Sequence, residues 1–202
     1  MRLIEVLPNY EAKRFDKPPV LTQDERKSCF QIDLSISSMI GKTKQDINKV
    51  GLLLQYGYFK VTGKFFTSKT FKSSDIKAAA KIIGVIPPKD FMHQYTDRTR
   101  QKHRLFILTN TGFLPFNNKI DFFEESITDM VDKQMHPRKL FYALIEQLRQ
   151  KKIELPSYDR IARTITDKFH AFEAKVTKNI AEVISSKQQE ALEKLVSKEG
   201  EP

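Results

Sequence analysis

Seven glycines in 202 residues leave little material for a glycine-rich phosphate loop, and no such motif is present. A single cysteine, Cys29, excludes an intramolecular disulfide and argues for a reducing compartment. No run approaches the ~18 uncharged apolar residues of a membrane span. The opening MRLIEVLPNYEAKRF lacks the apolar stretch of a signal peptide. The four histidines, His93, His103, His136 and His170, lie near no cysteine or carboxylate pair at metal-ligand spacing. No serine or cysteine stands in a recognisable nucleophile setting. These absences point to a soluble, cytoplasmic binding module with no metal and no cofactor, and away from an enzyme.

What the chain has is positive charge in one place. Its formal net charge is +10 with a pI near 9.6. From Gly41 to Arg104 there are 14 Lys and Arg against four acids, Asp46, Asp75, Asp90 and Asp97, while the remainder carries 21 of each sign. The whole excess therefore belongs to one contiguous third of the chain, an electrostatic footprint for a polyanion. The plainer alternative is solubility conferred by lysine.

The pattern along the chain is helical throughout. Residues 1–20, marked by Pro8, Pro18 and Pro19, read as an irregular leader. Thr22-Gln-Asp-Glu25 is a capping box that opens a helix to about Gln31. Thr43 to Asp46 repeats that signal less perfectly before a core helix with Ile47, Val50, Leu53 and Leu54 at 3.6-residue spacing. The acid-free stretch Tyr56–Lys72 interleaves Lys60, Lys64, Lys69 and Lys72 with Phe59, Phe65, Phe66 and Phe71. Such interleaving suits backbone neutralisation plus base stacking; the simpler reading, which we adopt for the rings, is that they anchor a loop while the lysines meet phosphate.

Next comes a helix capped by Ser73 or Ser74 with Ile76, Ala79, Ala80 and Ile83 inward, ending at Gly84, where a left-handed backbone is needed. Pro87 and Pro88 then open a short helix with Phe91 and Tyr95 on one face and Lys89, Asp90, His93 and Gln94 outward. A third helix, from Arg98 to about Thr111 and Gly112, starts with Arg98, Arg100, Lys102 and Arg104 and turns Leu105 and Leu108 inward. Cations at a helix N-terminus oppose the helix dipole unless an anion is near, so a phosphate partner is expected here. Together these parts make a helix-turn-helix-like unit.

Asn117 or Asn118 caps a further helix with Ile120, Phe123, Ile127 and Met130 inward. Its outward acids, Asp121, Glu124, Glu125, Asp129 and Asp132, read as a solvated face turned away from any DNA. Pro137 opens a helix that ends in Arg149, Lys151 and Lys152. Ser157 then caps a long helix whose Ile161, Ile165 and Phe169 (or Phe172) line one face, with Tyr158, Arg160, Arg163, Thr164 and Lys168 off it. A polar, arginine-bearing first turn after a short connection is what a major-groove helix needs. The pattern divides into the leader, a first unit over 21–135 with the basic segment 41–104, a second unit over 136–184, and residues 185–202 as an exposed helix or linker toward an absent catalytic region.

Three blocks resemble the N-terminal region of the replicative transposases of the Tn-three family. DINKVGLLLQYGYFKVTGKFF (Asp46–Phe66) is similar to that family's Leu- and Gly-rich helix leading into an aromatic-basic turn. YTDRTRQKHRLFILTNTGFLPF (Tyr95–Phe116) resembles its Thr-Arg-x-x-His block followed by Gly-Phe-x-Pro-Phe. LIEQLRQKKIELPSYDRIARTI (Leu144–Ile165) is similar to its Leu-Arg-basic-basic-Ile-x-Leu-Pro block. The sequence departs from the pattern at Lys102, where an acid is common, and at Leu108 and Thr109, where Arg is common.

The resemblance implies an all-α module of a bacterial cytoplasmic protein, nucleoid-associated when bound, that binds the terminal inverted repeats of a transposon, with the catalytic acids in a segment this chain lacks. On that reading Lys60, Lys64, Lys69, Arg98, Arg100, Lys102, Arg104, Lys151 and Lys152 meet DNA phosphates. His93, Gln94, Tyr158, Arg160, Arg163 and Thr164 are the candidates for base edges, since backbone contacts carry no sequence information. Self-association through the long C-terminal helix or the missing remainder is a further expected partnership. An RNA-binding module that stacks bases on the Tyr56–Lys72 rings, and a helical scaffold with a basic face for an acidic protein, are the alternatives.

Overall fold

The most deeply buried helical stretch, Asp46–Thr62, is the axis of the first half of the molecule in this computed structural model, which describes residues 4–183 and Gln188. Chain order gives α1 (Asn9–Phe15), α2 (Gln23–Cys29), α3 (Leu34–Lys42), α4 (Asp46–Thr62), α5 (Ser73–Ile83), α6 (Phe91–Gln94) and α7 (Asp97–Thr111). After these come α8 (Ile120–Asp132), α9 (Pro137–Gln150) and α10 (Tyr158–Val183). The fold is all-α; among the described residues the only pairing of extended backbone is a parallel bridge between Leu114 and Ile153.

Every residue of α4 from Val50 to Phe59 is buried, as expected for a helix apolar on all sides. α2, α3, α5 and α7 pack around it. Leu53, Leu54 and Tyr58 meet Phe30, Phe66, Ala79 and Ala80 on one side, while Leu52, Tyr56 and Phe59 meet Ile36, Ile107 and Leu108 on the other. Two glycines allow this crowding. A Cβ on Gly51 would lie 2.3 Å from the Tyr95 ring, and one on Gly57 would lie 2.5 Å from Phe30. The buried polar groups are paired: Asp75 accepts from Arg26 Nε at 2.6 Å and Tyr58 Oη at 2.7 Å, and Gln55 donates to the Phe66 carbonyl at 2.7 Å.

α8, α9 and α10 form the second core around Phe123, Ile127, Leu140, Phe141, Leu144 and Ile161. The leader belongs to this core and is not irregular: Val6 and Leu7 are buried in it, and α1 follows. The Ile4 amide donates to Thr166, the Leu7 amide donates to Tyr158 Oη, and Glu11 accepts from Arg138 and Tyr142.

Local sequence signals set many of the helix ends. The capping box between Thr22 and Glu25 forms, Gly84 and Gly112 end α5 and α7 with φ of 80° and 71°, Pro137 starts α9, and Ser157 accepts from the Arg160 amide. Other ends differ from expectation. α3, capped by Asp33, is an additional helix, and Thr43 closes it by donating to the Met39 carbonyl instead of opening α4. Lys72 precedes α5 without a side-chain cap, and neither Asn117 nor Asn118 caps α8, since both lie in the 3-10 turn Phe116–Lys119. Pro87 and Pro88 precede α6 without opening it; Asp90, at φ 52°, leads into a single helical turn. The expected helix or linker over 185–202 lies outside the described residues, apart from the single position Gln188.

Candidate nucleic-acid interface

The concentration of charge in the sequence becomes sharper in three dimensions. Of the 14 Lys and Arg between Gly41 and Arg104, Lys49, Lys64, Arg100 and Arg104 are ion-paired; no ion pair joins the other ten to a described residue. All four acids of the same segment are engaged: Asp46 by Lys49, Asp75 by Arg26, Asp90 by His93 and Asp97 by Arg100. The free cations include Lys42 on α3, Lys77 and Lys81 on α5, and Arg98 and Lys102 on α7, all exposed. With 14 cations against four acids, one of them (Asp75) fully buried, this half presents a large excess of positive charge to solvent.

The structure sorts the expected phosphate contacts. Lys69, Arg98, Lys102, Lys151 and Lys152 are exposed. Lys60 is exposed too, its ammonium 4.7 Å from the centre of the Tyr56 ring. Arg100 bonds Asp97 at 2.9 Å with its side chain 17% exposed, so it stiffens the first turn of α7. Two assignments are corrected. Lys64 is 6% exposed; it binds the Asp16 carboxylate and the Phe15 carbonyl and lies over the Phe15 ring. Burial pulls its ammonium below the usual lysine range, and Asp16 only partly offsets this. Arg104 forms a two-pronged pair with Glu154, its Nε at 2.6 Å from the carboxylate, and Glu154 also accepts from the Phe116 amide. Both pairs line a cleft of ≈ 700 Å³ between the two halves, so these cations hold the halves together.

The expected base readers are also divided. His93 and Gln94 are exposed, but they stand on a one-turn helix, with His93 bonded to Asp90 and Gln94 donating to the Lys89 carbonyl. On α10, Thr164 is 7% exposed and donates to the Arg160 carbonyl; it cannot reach a base edge. Tyr158 is half-buried and its hydroxyl accepts from Leu7, which makes it a fastening for the leader. Arg160 lies 3.5 Å from Glu124, and Arg163 pairs with Asp159 at 2.9 Å, both on the surface. The α10 surface thus carries acids beside its arginines.

The outward acids of α8 surround a shallow hollow edged by Asp121, Glu124, Glu125, Asp129 and Asp132, with Lys168 of α10 reaching Glu124 at 3.5 Å. That face repels a polyanion. The rings of the Tyr56–Lys72 stretch are structural: Phe59, Phe66 and Phe71 are buried, and Phe59 stacks on Phe65 with centroids 4.5 Å apart.

One surface was missed from the sequence. Leu105, expected inward, is 53% exposed, and His103 takes the inward place at 4%. His103 bonds Tyr95 Oη at 2.8 Å, and burial lowers its pKa to about 4. Burial likewise pushes the Cys29 thiol up to about 11, so it is not a reactive thiolate. Among the described residues no group of three or more His, Cys, Asp or Glu is placed to hold a metal ion, and no helix is long and apolar enough to cross a membrane.

No curated protein matches the chain. A family model described as a domain of unknown function (DUF4158) matches residues 6–167. That span takes in α1 through most of the packed part of α10 and contains all three blocks quoted above. The chain belongs to this DUF4158 family.

Proposed function

We propose that the chain is a double-stranded-DNA-binding module, the N-terminal part of a transposase that recognises the terminal inverted repeats of its element. The observation that carries this reading is the set of ten cations between Gly41 and Arg104 that no ion pair joins to a described residue, in a segment with only four acids. The three blocks that resemble Tn-three-family transposases supply the biological setting. The chain itself is not the enzyme on this reading; the parent protein carries the catalytic acids elsewhere. The burial of Phe59, Phe66 and Phe71 argues against single-stranded RNA, and the excess of 14 cations over four acids argues for a polyanion over a mixed-charge protein partner.

A shift titration on a 30-base-pair duplex tests it. Each phosphate neutralised contributes about −0.9 to the slope of log affinity against log salt. About six contacts lower affinity roughly a thousandfold or more between 50 and 200 mM salt. Affinity unchanged across that range, or no retardation of any duplex, overturns the proposal.

A further inference from the structure

Resting on the reading of this chain as a duplex-DNA binder, we propose that the outer face of α7 is its major-groove surface, with Gln101, Leu105 and Thr109 meeting base edges and Arg98 and Lys102 meeting the flanking phosphates. These five residues recur at helical spacing along one side of α7 and are all exposed. The opposite side is fixed by His103, Ile107 and Leu108, at 4%, 0% and 2% exposure. An apolar residue that is half exposed amid polar and cationic neighbours, on a helix with an adequate buried face of its own, is available for a ligand.

Three further features favour this face. The first is charge: the five residues of the outer stripe include two cations and no acid, and Asp97, at the start of α7 and outside the stripe, pairs with Arg100. The second is rigidity. Thr96 caps the helix by accepting from the Thr99 amide, Gly112 ends it, and Arg104 ties its middle to Glu154. A reading helix held at both ends and in the middle loses little freedom on docking. The third is reach, since 15 residues extend about 22 Å, and the major groove of B-DNA admits an α-helix of this kind. The deep, narrow major groove of duplex RNA does not.

No other helix competes on these terms. α6 is four residues long. The exposed side of α10 carries Asp159, Asp167 and Glu173. α5 offers Lys77 and Lys81 but no amide or other long hydrogen-bonding side chain beside them; it suits backbone contact. α3 closes the same cluster as α7 through Ile36 and adds an acid-free surface with Ser37, Ser38 and Lys42.

The chemistry also names the bases. A glutamine side chain pairs with adenine N6 and N7, while leucine and the threonine methyl contact the thymine methyl group. The α7 subsite is therefore A·T-biased. The test is selection of bound duplexes from a randomised DNA library by the whole chain, in wild type and in Gln101→Ala, Leu105→Ala and Arg163→Ala, with folding checked by circular dichroism. These positions are exposed, so the variants fold. In the expected result Gln101→Ala loses preference for an adenine at one position by about 10- to 100-fold while its affinity for random duplex is unchanged. Leu105→Ala relaxes a neighbouring thymine, and Arg163→Ala leaves the motif as it was. If wild type selects a motif that Gln101→Ala and Leu105→Ala reproduce unchanged, the assignment to α7 is wrong while DNA binding stands. A wild type that retards no duplex, or that prefers single-stranded RNA, removes the underlying reading as well.

Discussion

The two halves of the molecule carry charge in different proportions. In the α2–α7 half the four acids of the basic segment are outnumbered by its 14 Lys and Arg, nine of which are exposed with no ion pair to a described residue. In the α8–α10 half the acids lie on the surface, where Glu124, Asp129 and Asp159 share it with Lys168, Lys133 and Arg163. The interiors differ as well. The first half buries Asp75, Gln55 and His103 at its centre, whereas the α8–α10 core is built chiefly of aliphatic and aromatic side chains. A net charge summed over the chain hides this; the local excess of cations over acids is what gives one half its positive field.

The strongest way to break the contrast is at Asp75. Its carboxylate is fully buried and satisfies Arg26 and the Tyr58 hydroxyl, and burial together with Asp75 raises the Tyr58 pKa well above its ordinary value. Asp75→Ala strands both partners and destabilises the chain by about 4 kcal/mol in urea denaturation. Asp129→Ala, whose partner Lys133 is as exposed as itself, stays within about 0.5 kcal/mol.

His103 gives the next largest effect. Folded, its imidazole stays neutral down to about pH 4, whereas an unperturbed histidine takes up a proton near 6.5. Between those values the unfolded chain binds more protons, so stability falls as pH drops from about 6.5 to about 4, by about 3 kcal/mol in all. Stability curves at several pH values for wild type and His103→Gln check this. The variant loses the part of the slope due to this group, and an identical slope in both assigns the acid sensitivity elsewhere.

Smaller, but closest to function, is a charge exchange between the two faces. Arg98→Ala with Lys102→Ala reduces the salt slope of duplex binding by about two and lowers affinity by about tenfold, with little change in stability. Glu125→Lys with Asp129→Lys on α8 raises affinity for random duplex only a few-fold, because that face is turned away from the groove. Equal effects from the two pairs would show that the field is not one-sided.

Much of the helix plan was legible in the sequence because its signals are local. Thr22 and Glu25 are three residues apart, Gly84 and Gly112 act within one turn, and Pro137 needs only its own ring. The site was less legible because its side chains are sorted by distant partners. Lys64 leaves the surface for Asp16, 48 residues away, and Arg104 leaves it for Glu154, 50 residues away. The helical pattern of α7 misleads for a related reason: a histidine turns inward because Tyr95 can satisfy it, and a leucine is left outside. The leader lacked a strong helical pattern of its own, and its apolar residues found their core in the final helices.

That return of the leader has a consequence for how the chain is made. Val6 and Leu7 leave the ribosome well before the groups that bury and bond them, which lie between Phe123 and Thr166. The half built around α4 can close while synthesis continues, since its partners lie between Leu21 and Leu108. The second core must wait with its opening segment already outside, a long-range closure that folds slowly and leaves apolar surface uncovered in the interval. A bulky fusion ahead of residue 4 therefore loads the later of the two folding events and leaves the basic half free to form.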